Sequence, residues 1–202
     1  MKNSADNKIW EDFKAGKDET TSIIYDRNVD FLFYYGKKFT QDEGLILDTI
    51  HDLFIYLIQK RKSLGSTNNI KLYLLKSFRR RLFDELKKQN MTNSLEESDK
   101  EPTFVISVED RLIQEEEELS RQEIELALKQ LNTQQREILY YKFNCNLSYD
   151  EICEIMSISY DAARQKVSRA LQTLKKHLGN KPLILLLLLK LNLNFAAIFT
   201  FL

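Results

Sequence analysis

Residues that interrupt helices are scarce in this sequence. Only five of its 202 residues are glycine and two are proline. Long segments instead repeat apolar side chains every three or four positions, which is the spacing of one face of an α-helix. The scarcity of turn residues together with this period predicts an all-α protein.

The residues that catalytic and metal sites require are also scarce. The two cysteines, Cys145 and Cys153, have neither a second cysteine pair nor a nearby histidine to complete a zinc set, so we expect reduced, half-buried thiols. The sequence has no glycine-rich phosphate loop, no metal-ligand cluster and no nucleophile beside a credible base. We therefore expect no catalysis, no cofactor and no metal. Residues 1–17 are too polar for a signal peptide, so we expect a cytoplasmic protein.

Positive and negative charges are separated along the chain, although 30 basic and 30 acidic residues cancel overall. Residues 60–88 contain ten Lys or Arg against two Asp or Glu, residues 94–125 contain three against twelve, and residues 164–181 contain six against none. The two basic segments predict contact with nucleic-acid phosphates. The acidic run between them is expected to be a solvated linker, with mimicry of nucleic acid as the alternative.

A helix-turn-helix pattern lies within residues 131–178. Ser148 and Glu151 can form a capping box, which predicts a helix from Tyr149. A three-residue turn follows this helix, and its last residue, Ser159, is the predicted N-cap of the next helix. The apolar stripe of that second helix contains Ala163, Val167, Ala170, Leu171, Leu174 and Leu178.

The opposite face of the second helix predicts contact with duplex DNA. Arg and Gln side chains near the start of a helix in the major groove can make bidentate hydrogen bonds to guanine and adenine. The candidate duplex contacts are Ser159, Tyr160, Asp161, Arg164, Gln165, Lys166, Ser168 and Arg169. The alternative is an ordinary helical hairpin whose charges are only solvated.

The first half of the chain predicts a second helical unit. One apolar stripe contains Ile46, Ile50, Leu53, Phe54 and Leu57, and a later one contains Leu75, Phe78, Leu82 and Leu86. The outer side of the later helix contains Lys76, Arg79, Arg80, Lys87 and Lys88. The polar loop before it, residues 63–69, could hold an unstacked base with Asn68 and Asn69. Most aromatic residues between Trp10 and Phe83 are expected to be core.

The order of these features resembles the RNA polymerase sigma factors of the sigma-70 family, in the extracytoplasmic function group. Residues 131–139, 148–152, 167–171 and 174–175 are similar to the family's region 4, which binds the upstream minus-thirty-five promoter element. Residues 48–54, 71–74 and 82–84 are similar to region 2, which docks on the polymerase and faces the melted minus-ten element. The resemblance divides the chain into region 2 at residues 8–90, an acidic linker at 91–120, region 4 at 121–180 and a hydrophobic tail at 181–202.

The resemblance also implies partners and site residues. Core RNA polymerase would contact Asp48, His51, Asp52 and Gln59, and the melted promoter strand would contact Asn68, Asn69, Lys71, Lys76, Arg79, Arg80 and Lys87. The sequence departs from the family at Leu47 and His51, where a Glu-Asp pair and a Gln are usual, and at Tyr73 and Arg80, which replace a Trp and an Asn. An anti-sigma factor is implied as a further partner.

The expected function is to bind core RNA polymerase and direct promoter recognition, strand opening and initiation. The alternative is a helix-turn-helix regulator that binds DNA without binding polymerase. This alternative gives no function to residues 48–88. A helical adaptor that binds no DNA would explain neither basic segment.

The tail contains a long apolar run. Residues 183–189 are seven apolar residues in succession, and a helix over the last twenty residues would span about 30 Å, the thickness of a bilayer core. Lys190, Asn192 and Asn194 oppose insertion. Two interpretations of residues 183–202 remain open, namely packing on the protein or a partner, and membrane contact.

Overall fold

All regular secondary structure in the described part of the chain is helical. The computed structural model describes residues 2–93, 104 and 125–178, and these residues contain helices and turns but no strand. The all-α prediction is therefore confirmed. The chain divides into two compact units, Met1–Pro102 and Thr103–Leu202.

The N-terminal unit contains four α-helices. They are α1 (Lys2–Lys14), α2 (Asp18–Gly36), α3 (Glu43–Lys60) and α4 (Ile70–Asn93), with a single 3₁₀ turn at Arg61–Ser63 after α3. Helix α3 begins at Asp42, whose Oδ1 accepts the Leu45 amide proton at 2.9 Å. Such a cap satisfies one of the backbone donors that have no partner inside the helix.

The core of this unit contains both predicted apolar stripes. The buried stripe residues are Ile46, Ile50, Leu53, Phe54 and Leu57 on α3, and Leu75, Phe78, Leu82 and Leu86 on α4. Trp10 of α1 and Tyr35 of α2 are fully buried beside them. Gly36 allows α2 to approach α3 closely, because a Cβ at this position would lie only 2.9 Å from Cγ2 of Ile46.

The C-terminal unit contains a helical segment at residues 125–129, followed by three α-helices. They are α5 (Thr133–Leu139), α6 (Tyr149–Met156) and α7 (Tyr160–Leu178), and a π-helical segment, Tyr140–Asn144, continues α5. Helix α5 begins with a capping box that the sequence analysis did not predict. Asn132 Oδ1 accepts the Gln135 amide proton at 2.8 Å, and Gln135 Oε1 accepts the Asn132 amide proton at 3.0 Å.

The apolar stripe of α7 is buried almost as predicted. Ala163, Val167, Ala170, Leu174 and Leu178 are buried, whereas Leu171 is half-buried. Leu171 lies at the edge of the stripe, because each residue turns an α-helix by about 100° and this position is rotated away from the centre of the stripe. The predicted stripe extends to Leu171, but the core does not fully enclose it.

One residue of the predicted linker packs in the C-terminal unit. Phe104 is fully buried, and its ring centroid lies 5.4 Å from that of Tyr140. Helix α4 extends to Asn93, past the predicted start of the linker at residue 91. The acidic run and the tail, including residues 183–202, lie outside the described residues. Among the described residues, no helix is both long enough and apolar enough to cross a membrane.

Candidate nucleic-acid and protein interfaces

Short-range hydrogen bonds form the helix-turn-helix at the predicted positions. Ser148 Oγ accepts the Glu151 amide proton at 3.2 Å, and Glu151 Oε2 accepts the Ser148 amide proton at 2.7 Å. Ser157 ends α6 in the left-handed conformation, with φ 55° and ψ 46°. Ser159 Oγ then accepts the Ala162 amide proton at 3.2 Å. The predicted helix start at Tyr149 and the predicted N-cap at Ser159 are therefore both observed.

Helix α7 presents a polar face to solvent, and we call this the recognition face. It consists of Tyr160, Asp161, Arg164, Gln165, Ser168 and Arg169, all of which are exposed. The buried residues Ala163, Val167 and Ala170 lie on the other side of the helix. Because the basic and amide groups project away from the core, they can reach a groove without unfolding any part of the unit.

Lys166 differs from the other predicted duplex contacts. Its side chain is half-buried, and its ammonium donates a hydrogen bond to Oε1 of Gln134 on α5. This contact joins the recognition helix to α5. The side chain thus stabilises the orientation of α7 within the unit.

Tyr149 and Lys142 extend the recognition face, and the sequence analysis did not single out either residue for a functional role. The Tyr149 ring lies 5.5 Å from the Tyr160 ring in an edge-on arrangement, and the Lys142 ammonium lies 4.5 Å above the Tyr149 ring. Burial raises the pKa of Tyr149, the Arg164 charge opposes this, and Tyr160 adds to it. No local sequence signal joins these residues, because they lie on three separate segments that only the folded unit brings together.

Three of the predicted strand contacts form an exposed row on α4, which we call the α4 basic row. Lys76, Arg80 and Lys87 are spaced by four and seven residues and therefore lie on one side of the helix. Lys71 and Arg79 are placed differently. The Lys71 ammonium lies 3.8 Å from the centroid of the Phe31 ring, and the Arg79 guanidinium lies 4.2 Å from that of Phe83.

The two predicted base-reading asparagines have different environments in the loop between the 3₁₀ turn and α4, residues 64–69. Asn68 is exposed. Asn69 is half-buried, and its Oδ1 accepts the Leu72 amide proton at 3.0 Å. Asn69 therefore caps α4 through the oxygen that would otherwise accept from a base.

The predicted polymerase contacts are all exposed on α3. Asp48, Asp52 and Gln59 share one side of the helix, and we call them the α3 polar row. His51 lies beside the row, and its Nε2 is 3.5 Å from the Tyr25 hydroxyl.

Large apolar side chains also lie on the exposed surface of α3. Leu47, Ile55 and Ile58 are 38%, 51% and 42% exposed. The sequence analysis noted Leu47 only as a departure from the family pattern. The sequence could have indicated this exposed apolar surface, because α3 has more apolar residues than one buried stripe can contain.

An open groove of about 480 Å³ lies between α3 and α4 in the N-terminal unit. It is lined by Thr49, Asp52, Arg81, Asp84, Glu85, Lys87 and Lys88. The structure thus brings Asp52, a predicted polymerase contact, beside Lys87, a predicted strand contact. Charges of both signs line the groove, and Lys88 donates to Glu85 Oε1 at 2.7 Å.

The two cysteines of the C-terminal unit form no disulfide, and both are half-buried. Burial raises the pKa of the Cys153 thiol, and Asp150 raises it further. Within residues 2–93, 104 and 125–178, no three His, Cys, Asp or Glu side chains are grouped so that they could hold a metal ion.

The C-terminal unit contains a capped helix-turn-helix with a basic second helix. This motif makes the chain a helix-turn-helix protein. Residues 121–174 match the family model described as sigma-70, region 4. Within these residues, the match confirms the resemblance to region 4 that was inferred from the sequence.

Two solved structures extend the likeness over both units. The structure of CnrH in complex with the cytosolic domain of CnrY is 14% identical, with a TM-score of 0.56, and the match covers 86% of this chain and 97% of that one. The structure of the sigma factor RpoE in complex with the anti-sigma factor NepR from Bartonella quintana is 18% identical, with a TM-score of 0.54, and the match covers 75% and 92%. At these identities the likeness establishes the fold. No curated protein matches the chain significantly.

Proposed function

We propose that this protein is a sigma factor of the extracytoplasmic function group. It binds core RNA polymerase and directs promoter recognition, strand opening and transcription initiation. The observation that supports this most strongly is the exposed recognition face within a segment that matches sigma-70 region 4. The protein forms or breaks no bond itself, because its task is to position polymerase and DNA.

Duplex DNA binds at the recognition face. Arg164, Gln165 and Arg169 project from the first half of α7, where side chains of a recognition helix reach base edges in the major groove. Arg can donate two hydrogen bonds to guanine, and Gln can donate to and accept from adenine. Lys142 lies beside Tyr149 at the edge of this face, where its charge can attract a phosphate.

The melted strand binds the N-terminal unit. The α4 basic row supplies three positive charges along one side of a helix, a pattern that suits the phosphates of a single strand. Asn68 is exposed in the adjoining loop and can hydrogen-bond to the edge of an unstacked base.

Core polymerase binds the exposed side of α3. The α3 polar row supplies two carboxylates and an amide, and Leu47, Ile55 and Ile58 supply apolar area beside them. Apolar contacts at the centre and polar contacts at the rim are the common composition of a protein interface. A partner surface with basic and apolar side chains fits this composition.

An anti-sigma factor is the proposed regulatory partner. The similar structures of CnrH and RpoE are complexes with CnrY and with the anti-sigma factor NepR. We further propose that the protein acts in the cytoplasm, where core polymerase and promoter DNA are found.

Reconstituted transcription tests this function. Core polymerase of the source organism, fragments of its genome and the purified full-length chain are combined, and the 5′ ends of the transcripts are mapped. We expect defined start sites that depend on the chain, and fewer of them with Asp52→Lys, which places a positive charge in the α3 polar row. Asp30→Lys is a matched control, because it makes the same charge reversal at an exposed position on α2. Duplex binding without any gain in initiation would instead favour a regulator that does not bind polymerase.

A further inference from the structure

Helix α1 holds both ends of the α3–α4 loop, residues 64–69. Trp10 Nε1 donates a hydrogen bond to the Gly65 carbonyl at 2.8 Å, and Asp6 Oδ2 accepts the Ile70 amide proton at 3.2 Å. These bonds join residues that are 55 and 64 positions apart in the chain. No resemblance or motif in the sequence assigned α1 to nucleic-acid binding.

The inside of the loop is fixed by its own hydrogen bonds. Thr67 Oγ1 accepts the Asn69 amide proton at 3.1 Å and donates to the Asn69 carbonyl at 3.2 Å. Asn69 in turn caps α4. Hydrogen bonds thus hold both the ends and the interior of the loop, so its backbone has few alternative conformations. Ser66 and Asn68 are the exposed polar side chains of this loop.

Trp10 is itself held firmly in place. It is fully buried, and its ring lies 5.4 Å from Phe13 and 4.8 Å from Tyr73 of α4. Its indole N–H therefore meets the Gly65 carbonyl from a fixed position. A loop that is fixed before it binds loses less conformational entropy on binding than a free loop does.

We propose that Trp10 and Asp6 are positioning residues for strand recognition, which hold the α3–α4 loop so that Ser66 and Asn68 meet one unstacked base. This inference rests on the proposed function, since it names the elements that arrange the strand site. Neither residue touches DNA in this role. Both act through the backbone of the loop.

Two pairs of variants distinguish a role in positioning the loop from a general effect on the stability of the protein. Trp10→Phe keeps an aromatic ring against Tyr73 but removes the donor to Gly65 together with part of the buried indole. Phe13→Leu is the packing control, because it reduces the same packing and leaves that donor in place. Asp6→Ala removes the acceptor for the Ile70 amide, whereas Asp6→Asn retains an oxygen that can accept it. All four variants are made in the full-length chain.

The first measurement is binding to single-stranded oligonucleotides that cover the non-template strand of a promoter opened by the wild-type protein with polymerase. Each base is removed in turn to leave an abasic site. We expect the wild type to lose affinity strongly at one position. Trp10→Phe and Asp6→Ala should bind the intact strand about fivefold more weakly, as expected for one lost hydrogen bond, and should lose that single-position sensitivity. Phe13→Leu and Asp6→Asn should retain it.

Equal weakening by Trp10→Phe and Phe13→Leu, with the position sensitivity intact in both, would overturn the proposal. Hydrogen exchange at the amides of residues 65–70 provides a test that does not need DNA. Exchange should be faster in Trp10→Phe and Asp6→Ala than in their controls, and unchanged exchange would overturn the positioning role whatever the DNA result. If the wild type binds no single strand while exchange changes as expected, the strand-binding part of the proposed function fails and the loop support stands.

Discussion

The two units differ in the sequence range of the hydrogen bonds that build their candidate interfaces. In the C-terminal unit, the caps at Asn132, Ser148 and Ser159 all join residues three positions apart. In the N-terminal unit, the loop before α4 depends on bonds from Trp10 and Asp6 that span 55 and 64 residues. The helix caps of the proposed duplex-binding unit therefore depend on local contacts, whereas the ends of the proposed strand-binding loop depend on distant ones.

Helices α4 and α7 also differ in what surrounds their basic side chains. Lys71, Arg79 and Arg81 lie over the rings of Phe31, Phe83 and Tyr56. On α7, by contrast, Arg164 and Arg169 are exposed. An ammonium or guanidinium over a ring gains roughly 0.5–1 kcal/mol at an exposed site. Some positive charges of the N-terminal unit therefore also stabilise its fold.

The largest expected effect on stability is that of Tyr141→Phe in the C-terminal unit. The Tyr141 hydroxyl donates to Glu137 Oε1 at 2.6 Å in a buried site, and loss of a hydrogen bond to a buried acceptor costs about 1–3 kcal/mol. Urea unfolding followed by circular dichroism should shift to lower denaturant. Tyr160→Phe, which removes an exposed hydroxyl, is the control.

The same experiment tests whether the two units unfold independently of each other. Trp10 is the single tryptophan and lies in the N-terminal unit, so its fluorescence follows that unit alone. We expect the fluorescence transition of Tyr141→Phe to match that of the wild type. An equal shift in both signals would mean that the two units unfold together.

The next effect is that of Arg164→Ala on duplex binding. If Arg164 reads a base, its loss should cost about 1–3 kcal/mol, and the loss should be confined to one promoter position. Binding to a set of promoters with single base changes measures this. Lys129→Ala, which removes an exposed charge of the same unit outside α7, is the control. A uniform loss over all promoters would make Arg164 a phosphate contact.

Sequence reasoning predicted the local structure of the C-terminal helix-turn-helix better than that of the α3–α4 loop, for a physical reason. The start of α6 and the cap at Ser159 depend on partners three residues away, so the signal lies in a short stretch of sequence. Ser148 and Glu151 are an example, because their spacing alone defines a capping box. The buried stripes of α3 and α4 were predicted equally well, since helical period depends only on nearby residues.

The features that the sequence did not predict depend on distant contacts. Asn69 looked available to a base, but the fold uses its oxygen as the cap of α4. The hydrogen bond of Trp10 to Gly65 has no local pattern, and neither has the position of Tyr149 beside Tyr160. Such contacts follow only once the helices have packed. For this reason the helices were predicted correctly, whereas several side-chain contacts between distant residues were not.

A smaller effect is expected for single substitutions among the basic residues of α4. Arg80→Ala should weaken single-strand binding by roughly 1 kcal/mol, because the side chain belongs to the exposed α4 basic row. Lys71→Met should change it less, since the Lys71 ammonium lies over the Phe31 ring, where a methionine can replace much of the packing. Both side chains are exposed, so equal losses in an oligonucleotide-binding assay would contradict the effect assigned to the Phe31 ring.

The smallest expected effect concerns the backbone at the end of α6. Ser157 has φ 55°, a left-handed conformation that costs a residue with a Cβ about 1–2 kcal/mol. Glycine avoids that cost but loses more entropy on folding, so Ser157→Gly should raise the free energy of unfolding by about 0.5–1 kcal/mol. Gly16 supplies the matched reverse substitution in the N-terminal unit. Its φ is 89°, and Gly16→Ala should destabilise the protein.

Urea unfolding of both variants, followed by circular dichroism and by Trp10 fluorescence, assigns each change to a unit. Ser157→Gly should shift the circular dichroism transition, which includes the helices of the C-terminal unit, and should leave the Trp10 fluorescence transition unchanged. It should also leave duplex affinity unchanged, because the substitution keeps the turn that orients α7. Reduced duplex affinity together with higher stability would mean that strain at Ser157 helps to orient the recognition face. In that event a local contact would control DNA binding in the C-terminal unit, just as distant contacts are proposed to control strand binding in the N-terminal unit.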